Sequence, residues 1–194
     1  MSNSQWQEHL RQKLRNLAQD KTSPRVAVIG VGNELRSDDA LGVYLARALK
    51  SYTDTCEHVL ALEAGLAPEN FCGTLRRFRP DLVILIDAAQ MGEEPGTVQM
   101  LDLQSAVSLT ISAHDPSFQL FAKYLDAELG CELAILGVQV ADLSFDAPIS
   151  HPVRKAIGVI TAMLVDLFEQ ARLVGKTKEQ KDKSAGEQAC ILFA

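Results

Sequence analysis

Short apolar runs alternate along this chain with segments in which apolar residues recur at helical spacing. Arg25-Val26-Ala27-Val28-Ile29 is continuous, β-branched and uncharged after its first residue. That is the pattern of a strand buried on both faces of a parallel sheet. His58-Val59-Leu60-Ala61-Leu62-Glu63 predicts a second strand, and Leu82-Val83-Ile84-Leu85-Ile86 is the purest run of this kind. Gly96 to Leu101 follows a Pro-Gly turn and alternates with period two, which predicts an edge strand. Its connection to the preceding run is too short for a full parallel crossover. Glu132 to Val138 predicts the last central strand.

Helical periodicity fills the intervals. Trp6, Leu10, Leu14 and Leu17 are spaced by three and four, so Gln5 to Gln19 predicts an amphipathic packing helix ahead of the first strand. Leu41, Val43, Leu45, Ala46 and Leu49 mark a helix beginning near Asp38, and another starts near Pro68-Glu69-Asn70. Phe118, Phe121, Leu125 and Leu129 give the buried side of a helix after Pro116, and Val153 to Phe168 closes the series. From Gly175 to Gln188 the chain is rich in Lys, Glu and Gln without apolar periodicity. A disordered tail over 175–194 is expected there, after an N-terminal helical extension (1–24) and one central domain (25–174). Cys190 stands five residues from the end, so the terminus is not a prenylation box.

Bulk properties narrow the class. A chain of 194 residues with 47% hydrophobic residues can bury one α/β domain. A formal charge of −6 and a pI near 5.2 argue against a nucleic-acid surface, and no run approaches a membrane span. The polar start Ser4 to Arg11 lacks the apolar core of a secretory signal, so a cytoplasmic protein is expected. Cys56, Cys72, Cys131 and Cys190 are scattered, without a Cys-x-x-Cys pair, and predict free thiols.

The densest candidate chemistry is Gly30-Val31-Gly32-Asn33-Glu34-Leu35-Arg36-Ser37-Asp38-Asp39-Ala40-Leu41-Gly42, a glycine turn and paired acids directly after a buried strand. A dinucleotide fingerprint requires a third glycine where Leu35 stands, and two acids would repel a pyrophosphate. Asp39, Asp87 and His114 each fall at a strand end or helix start, on one predicted edge of one sheet. Two carboxylates and an imidazole suit nickel, zinc or iron better than calcium, which prefers all-oxygen shells. Each residue also has an ordinary role available: Asp39 as a helix cap, Asp87 as a turn former, His114 as a loop residue before a helix. Asp38 fits a cap or a support for Asp39. Ser37 and Ser112 lack a recognisable base and orienter, so no serine or cysteine nucleophile is indicated.

Gly30 to Asn33 with Asp38-Asp39, then Ile86-Asp87-Ala88, Pro95-Gly96-Thr97, Ser112-Ala113-His114 and Leu136-Gly137-Val138-Gln139, resemble the hydrogenase maturation endopeptidases in order and spacing over about residues 25 to 170. Ala67-Pro68-Glu69-Asn70 and Asp87 to Gly92 look closest to the formate-hydrogenlyase-type branch. The resemblance implies a three-layer αβα fold around a twisted, mostly parallel five-stranded sheet. It implies that Asp39, Asp87 and His114 contact nickel and form the catalytic and metal-binding set of an aspartyl-type endopeptidase. In this family nickel arrives with the substrate, a NiFe-hydrogenase large-subunit precursor, whose short C-terminal extension is removed after metal insertion. Other divalent cations can occupy the isolated protein, and a monomer is expected. The chain departs from the family's frequent Asp-Gly-Gly at Glu63-Ala64-Gly65 and from Gln-Pro at Gln139-Val140. His9, His58 and His151 lie outside the matching motifs. Two alternatives stay open on sequence: a non-enzymatic chaperone sensing the precursor's metal status, and a small-molecule or nucleotide-binding α/β domain.

Overall fold

The computed structural model describes residues 5–21, 23–112 and 116–191, except the side chains of 20, 116–119, 126 and 174–191. Its strands are β1 (Val26–Val31), β2 (Val59–Gly65), β3 (Leu82–Ala89), β4 (Val98–Leu101) and β5 (Glu132–Gln139). They form one sheet in the order β2-β1-β3-β5-β4, with β4 alone antiparallel, against β5. Every residue of β1 and β3 is buried, whereas β2 carries exposed and half-buried positions because it lies at an edge. The uninterrupted apolar runs are therefore the strands sheltered on both faces.

Alternation inside those runs feeds two cores. Val26 and Val28 pack with Leu82, Ile84 and Ile86 on one face, and Ala27 and Ile29 pack with Val83 and Leu85 on the other. The first face is covered by α1 (Gln5–Asp20), α2 (Leu41–Thr53) and α6 (His151–Ile191). The second is covered by α3 (Cys72–Phe78), α4 (Leu103–Leu109) and α5 (Pro116–Tyr124). The result is the expected three-layer αβα arrangement.

The N-terminal helix is a structural part of the first layer. Trp6, Leu10 and Leu14 are at most 2% exposed, and burying each leucine contributes about 2 kcal/mol. At the chain's other end α6 continues from Val153 and Phe168 through the lysine-rich segment to Ile191, and residues 192–194 of the expected tail lie outside the described residues. Loss of apolar periodicity reports loss of packing, while Lys, Glu, Gln and Ala remain good helix formers. Among the described residues no helix is long and apolar enough to cross a membrane.

Strand order locates the site. From β1 the chain crosses by α2 to β2 on one side, and from β3 it proceeds to β4 and β5 on the other. Neighbouring connections that diverge in this way open a crevice at the carboxyl ends of β1 and β3. Asp39 follows the first of those strands, and Asp87 lies on the second.

Candidate active site

The turn after β1 is built by close backbone packing. A Cβ on Gly42 would approach the Ile86 carbonyl oxygen to 2.5 Å, and one on Gly30 would collide with the Gly42 carbonyl. The first turn of α2 therefore rests directly on β1 and β3, so Gly42 supplies the close helix-strand packing that Leu35 cannot. Gly32 has φ +137° and would overlap the Asp39 carbonyl if it carried a side chain. Asn33 turns the chain by accepting the Leu35 N–H on its side chain at 2.9 Å. Ser37 then takes φ +43°, a left-handed conformation uncommon for serine, and donates its hydroxyl to the Pro148 carbonyl at 2.9 Å.

The paired acids have different tasks. Both lie in a short 3-10 turn, Ser37–Ala40, ahead of α2, and Asp38 caps neither that turn nor α2. It is instead fully buried and accepts from the Ala141, Asp142 and Ser150 backbone amides at 2.8, 3.0 and 2.7 Å and from the Ser150 hydroxyl at 2.9 Å. Asp38 thus ties the loop between β5 and α6 to the turn carrying Asp39. The expected cap role was wrong because donors 103 to 112 residues away occupy its oxygens, contacts that no local pattern reveals.

Asp39 is 3% exposed, and its Oδ1 is buried without a hydrogen-bond partner. Burial raises its pKa above the ordinary carboxylate value, while the Arg36 guanidinium and the Asn33 backbone amide pull it down. Asp87 is fully buried at the end of β3. Its carboxylate accepts the Ala88 amide at 2.8 Å, the Ser112 hydroxyl at 2.9 Å and the Ser112 amide at 3.1 Å. Burial pushes Asp87 up to about 7; the Ser112 hydroxyl opposes this, and the nearby charge of Asp39 adds to it. The structure thus brings Asp39 and Asp87 together, as the topology predicts.

Ser112 reaches Asp87 because the segment before it adds to β3. Thr110 bridges Ala89, and the Ile111 amide donates to the Ala88 carbonyl at 2.8 Å. His114, the third residue expected in the site, lies outside the described residues, as do its neighbours Ala113 and Asp115. Among the described residues no group of three His, Cys, Asp or Glu side chains is arranged to hold a metal ion. What they provide is two carboxylates, one with an orphaned buried oxygen, a donor that fits a hard or borderline cation. A carboxyl poised near 7 also suits proton transfer at neutral pH.

Other sequence candidates fall elsewhere. Glu63 binds Arg47 at 2.7 Å, and Arg47 also binds Glu34 at 3.0 Å, so Glu63 joins a half-exposed ion cluster at the rim. His9 and His151 are exposed and His58 is half-buried. Gln139 accepts the Met91 amide at 2.7 Å, fixing the loop after β3, and the Val140 amide donates to the Ala89 carbonyl at 3.2 Å. A proline at 140 has no such proton to give. The positioning roles of Ser112, Ser150 and Gln139 were not expected. For Ser112 the signal was its place two residues before His114 in a matching motif.

The glycine turn does not cradle phosphate, since Gly32 admits a carbonyl and two buried acids occupy the edge. The profile of the HycI hydrogenase maturation protease family matches residues 43–167. The hydrogenase 3 maturation protease of Escherichia coli K12 is 27% identical over 131 residues, 67% of this chain and 82% of that protein. The hydrogenase expression/formation protein HupD of Rhizobium leguminosarum is 29% identical over 149 residues, 73% of this chain and 71% of that protein. The crystal structure of the NiFe hydrogenase maturation protease HycI from Thermococcus kodakarensis superposes with a TM-score of 0.69 at 28% identity, covering 80% of this chain and 98% of that one. With a profile match over more than half its length, the chain belongs to the hydrogenase maturation protease family and is a peptidase.

Proposed function

We propose that this peptidase removes the C-terminal extension of a NiFe-hydrogenase large-subunit precursor, in the cytoplasm and as a monomer, and that nickel carried by the precursor is its recognition mark. The observation that carries this reading is the orphaned Oδ1 of Asp39 beside Asp87 at the carboxyl edge of β1 and β3. Carboxylates that are costly to keep charged in isolation gain from a cation, and a substrate metal already held by thiolates supplies it. Docking of that metal then fixes the scissile peptide against the protein. A precursor without nickel lacks the anchor. His114 is the third ligand in this reading, and a nearby carboxyl takes up a proton during hydrolysis.

The family relationship supports the substrate class, and the acid pair supports the metal. The test is incubation of purified protein with nickel-loaded and nickel-free precursor, read by intact mass. Loss of a C-terminal peptide from the loaded form alone is expected. Equal cleavage of both forms would remove nickel as the mark. Stable binding without any mass loss would establish a metal-sensing chaperone in place of a peptidase.

A further inference from the structure

Four large apolar side chains are exposed on loops or first turns at the carboxyl edge of the sheet: Leu35 (57%), Tyr44 (37%), Leu66 (61%) and Phe145 (74%). Two of them sit on segments tied to one another. The Asp146 amide donates to the Leu35 carbonyl at 2.9 Å, beside Phe145. Both ends of the Phe145 loop are fixed by Asp38, through Ala141 and Asp142 on one side and Ser150 on the other. The Asp38 amide in turn donates to the Asp142 carbonyl at 3.2 Å. Asp39, one residue along, is the acid at the site.

Backbone strain marks the same pair of segments. Three described non-glycine residues have positive φ, and two of them are Ser37 (+43°) and Asp146 (+56°). Such conformations cost of order 1 kcal/mol and persist where surrounding bonds enforce them. An exposed phenyl ring on a loop fixed at both ends and at its crown offers apolar area with little ordering cost on association. Next to Leu35 in the chain, Glu34 joins Arg47 and Glu63 in a charged cluster. An apolar centre with a polar rim is the anatomy of a protein interface.

We propose that Leu35 and Phe145 form the docking element for an apolar segment of the hydrogenase precursor flanking the bond to be cut, and that Asp38 positions this element relative to Asp39. The inference rests on the reading of the precursor as substrate. Its occupant follows from continuity, because the patch borders the edge at which the precursor meets Asp39 and Asp87. Asp38 acts through the loop and touches no reacting atom.

The test measures binding and turnover separately, with nickel-loaded precursor as the probe. In the Asp87→Asn background, which holds the precursor uncut, Phe145→Ser and Leu35→Ser each weaken binding about tenfold or more. In the otherwise native protein the loss appears in KM with little change in kcat, whereas Leu173→Ser, exposed near the middle of α6, alters neither. Asp38→Asn weakens precursor binding and Asp38→Glu, which keeps a charged acceptor for the loop amides, recovers part of it; native binding in Asp38→Asn removes Asp38 as the positioning residue. Native affinity in both Phe145→Ser and Leu35→Ser overturns the proposal, and so does a Phe145-dependent homodimer seen by sedimentation. Precursor cleaved by the native protein with unchanged KM in these variants would leave the peptidase reading standing and the docking element refuted. Precursor bound but never cut by the native protein would fail the peptidase reading, with the docking element still decided by the binding arm.

Discussion

Ser112 donates both its hydroxyl and its backbone amide to the carboxylate of Asp87, at 2.9 and 3.1 Å. These bonds favour the charged form of a group that burial otherwise drives toward neutrality. Removing the hydroxyl with Ser112→Ala should raise the Asp87 pKa further, by roughly one unit for a charge-assisted hydrogen bond. The acid limb of kcat/KM for precursor processing should move to higher pH by the same amount. An unshifted limb would mean that Asp87 does not titrate in the rate-determining complex.

Stability should carry the signature of the same residue. In the folded protein Asp87 keeps its proton up to about 7, whereas the unfolded chain releases it near the ordinary value of 3.8. Between these limits the folded state holds the Asp87 proton that the unfolded chain has lost, so the contribution of Asp87 to stability is fully present below the lower value and is lost as pH rises to about 7. Melting temperatures recorded from pH 4.5 to 8 should fall through this window. Asp87→Asn should flatten that slope while abolishing processing by at least about a hundredfold. A slope unchanged in the variant assigns the effect to another group.

Gly32 and Gly158 should respond to alanine with opposite signs. At Gly32 a Cβ overlaps the Asp39 carbonyl at φ +137°, so Gly32→Ala should displace the Asp39 turn, lower stability by about 2 kcal/mol or more and suppress processing. Gly158 lies in α6 with no atom within 4 Å of the added carbon. Gly158→Ala should stabilise the helix by about 0.5–1 kcal/mol and leave turnover intact. Denaturant titration of both variants measures the contrast.

Ile84 is fully buried in β3, the middle strand of the sheet. Ile84→Asp places an unpaired charge where no donor awaits it, at a cost of several kcal/mol set against a total stability of about 5–15. Loss of the cooperative melting transition is expected, and a normal transition would displace Ile84 from the core.

Much of this architecture was legible from local pattern. Buried parallel strands read as the pure runs at Val26–Ile29 and Leu82–Ile86 because sheet faces covered on both sides favour apolar residues along the strand interior. The edge strand at Val98–Leu101 read as an alternating run after a turn. Asp39 and Asp87 stood out because strand-helix alternation sends strand ends to one edge, where sites of such sheets collect. The helical end of α6 carried no periodic signal, since periodicity measures packing and says little about helix formation in a segment of good helix formers.

The sequence by itself determined which residues form strands, which face of each helix is buried, and which acids stand at the carboxyl edge, because these follow from periods of 2 and 3.6 and from chain order. Only the tertiary structure decided that Asp38 clamps a loop over a hundred residues away while Asp39 keeps an unpaired oxygen, and that Ser112 lies on Asp87. Hydrogen bonds of that separation depend on where distant backbone donors arrive after packing. Two adjacent aspartates with the same local sequence signal therefore receive opposite roles from their surroundings.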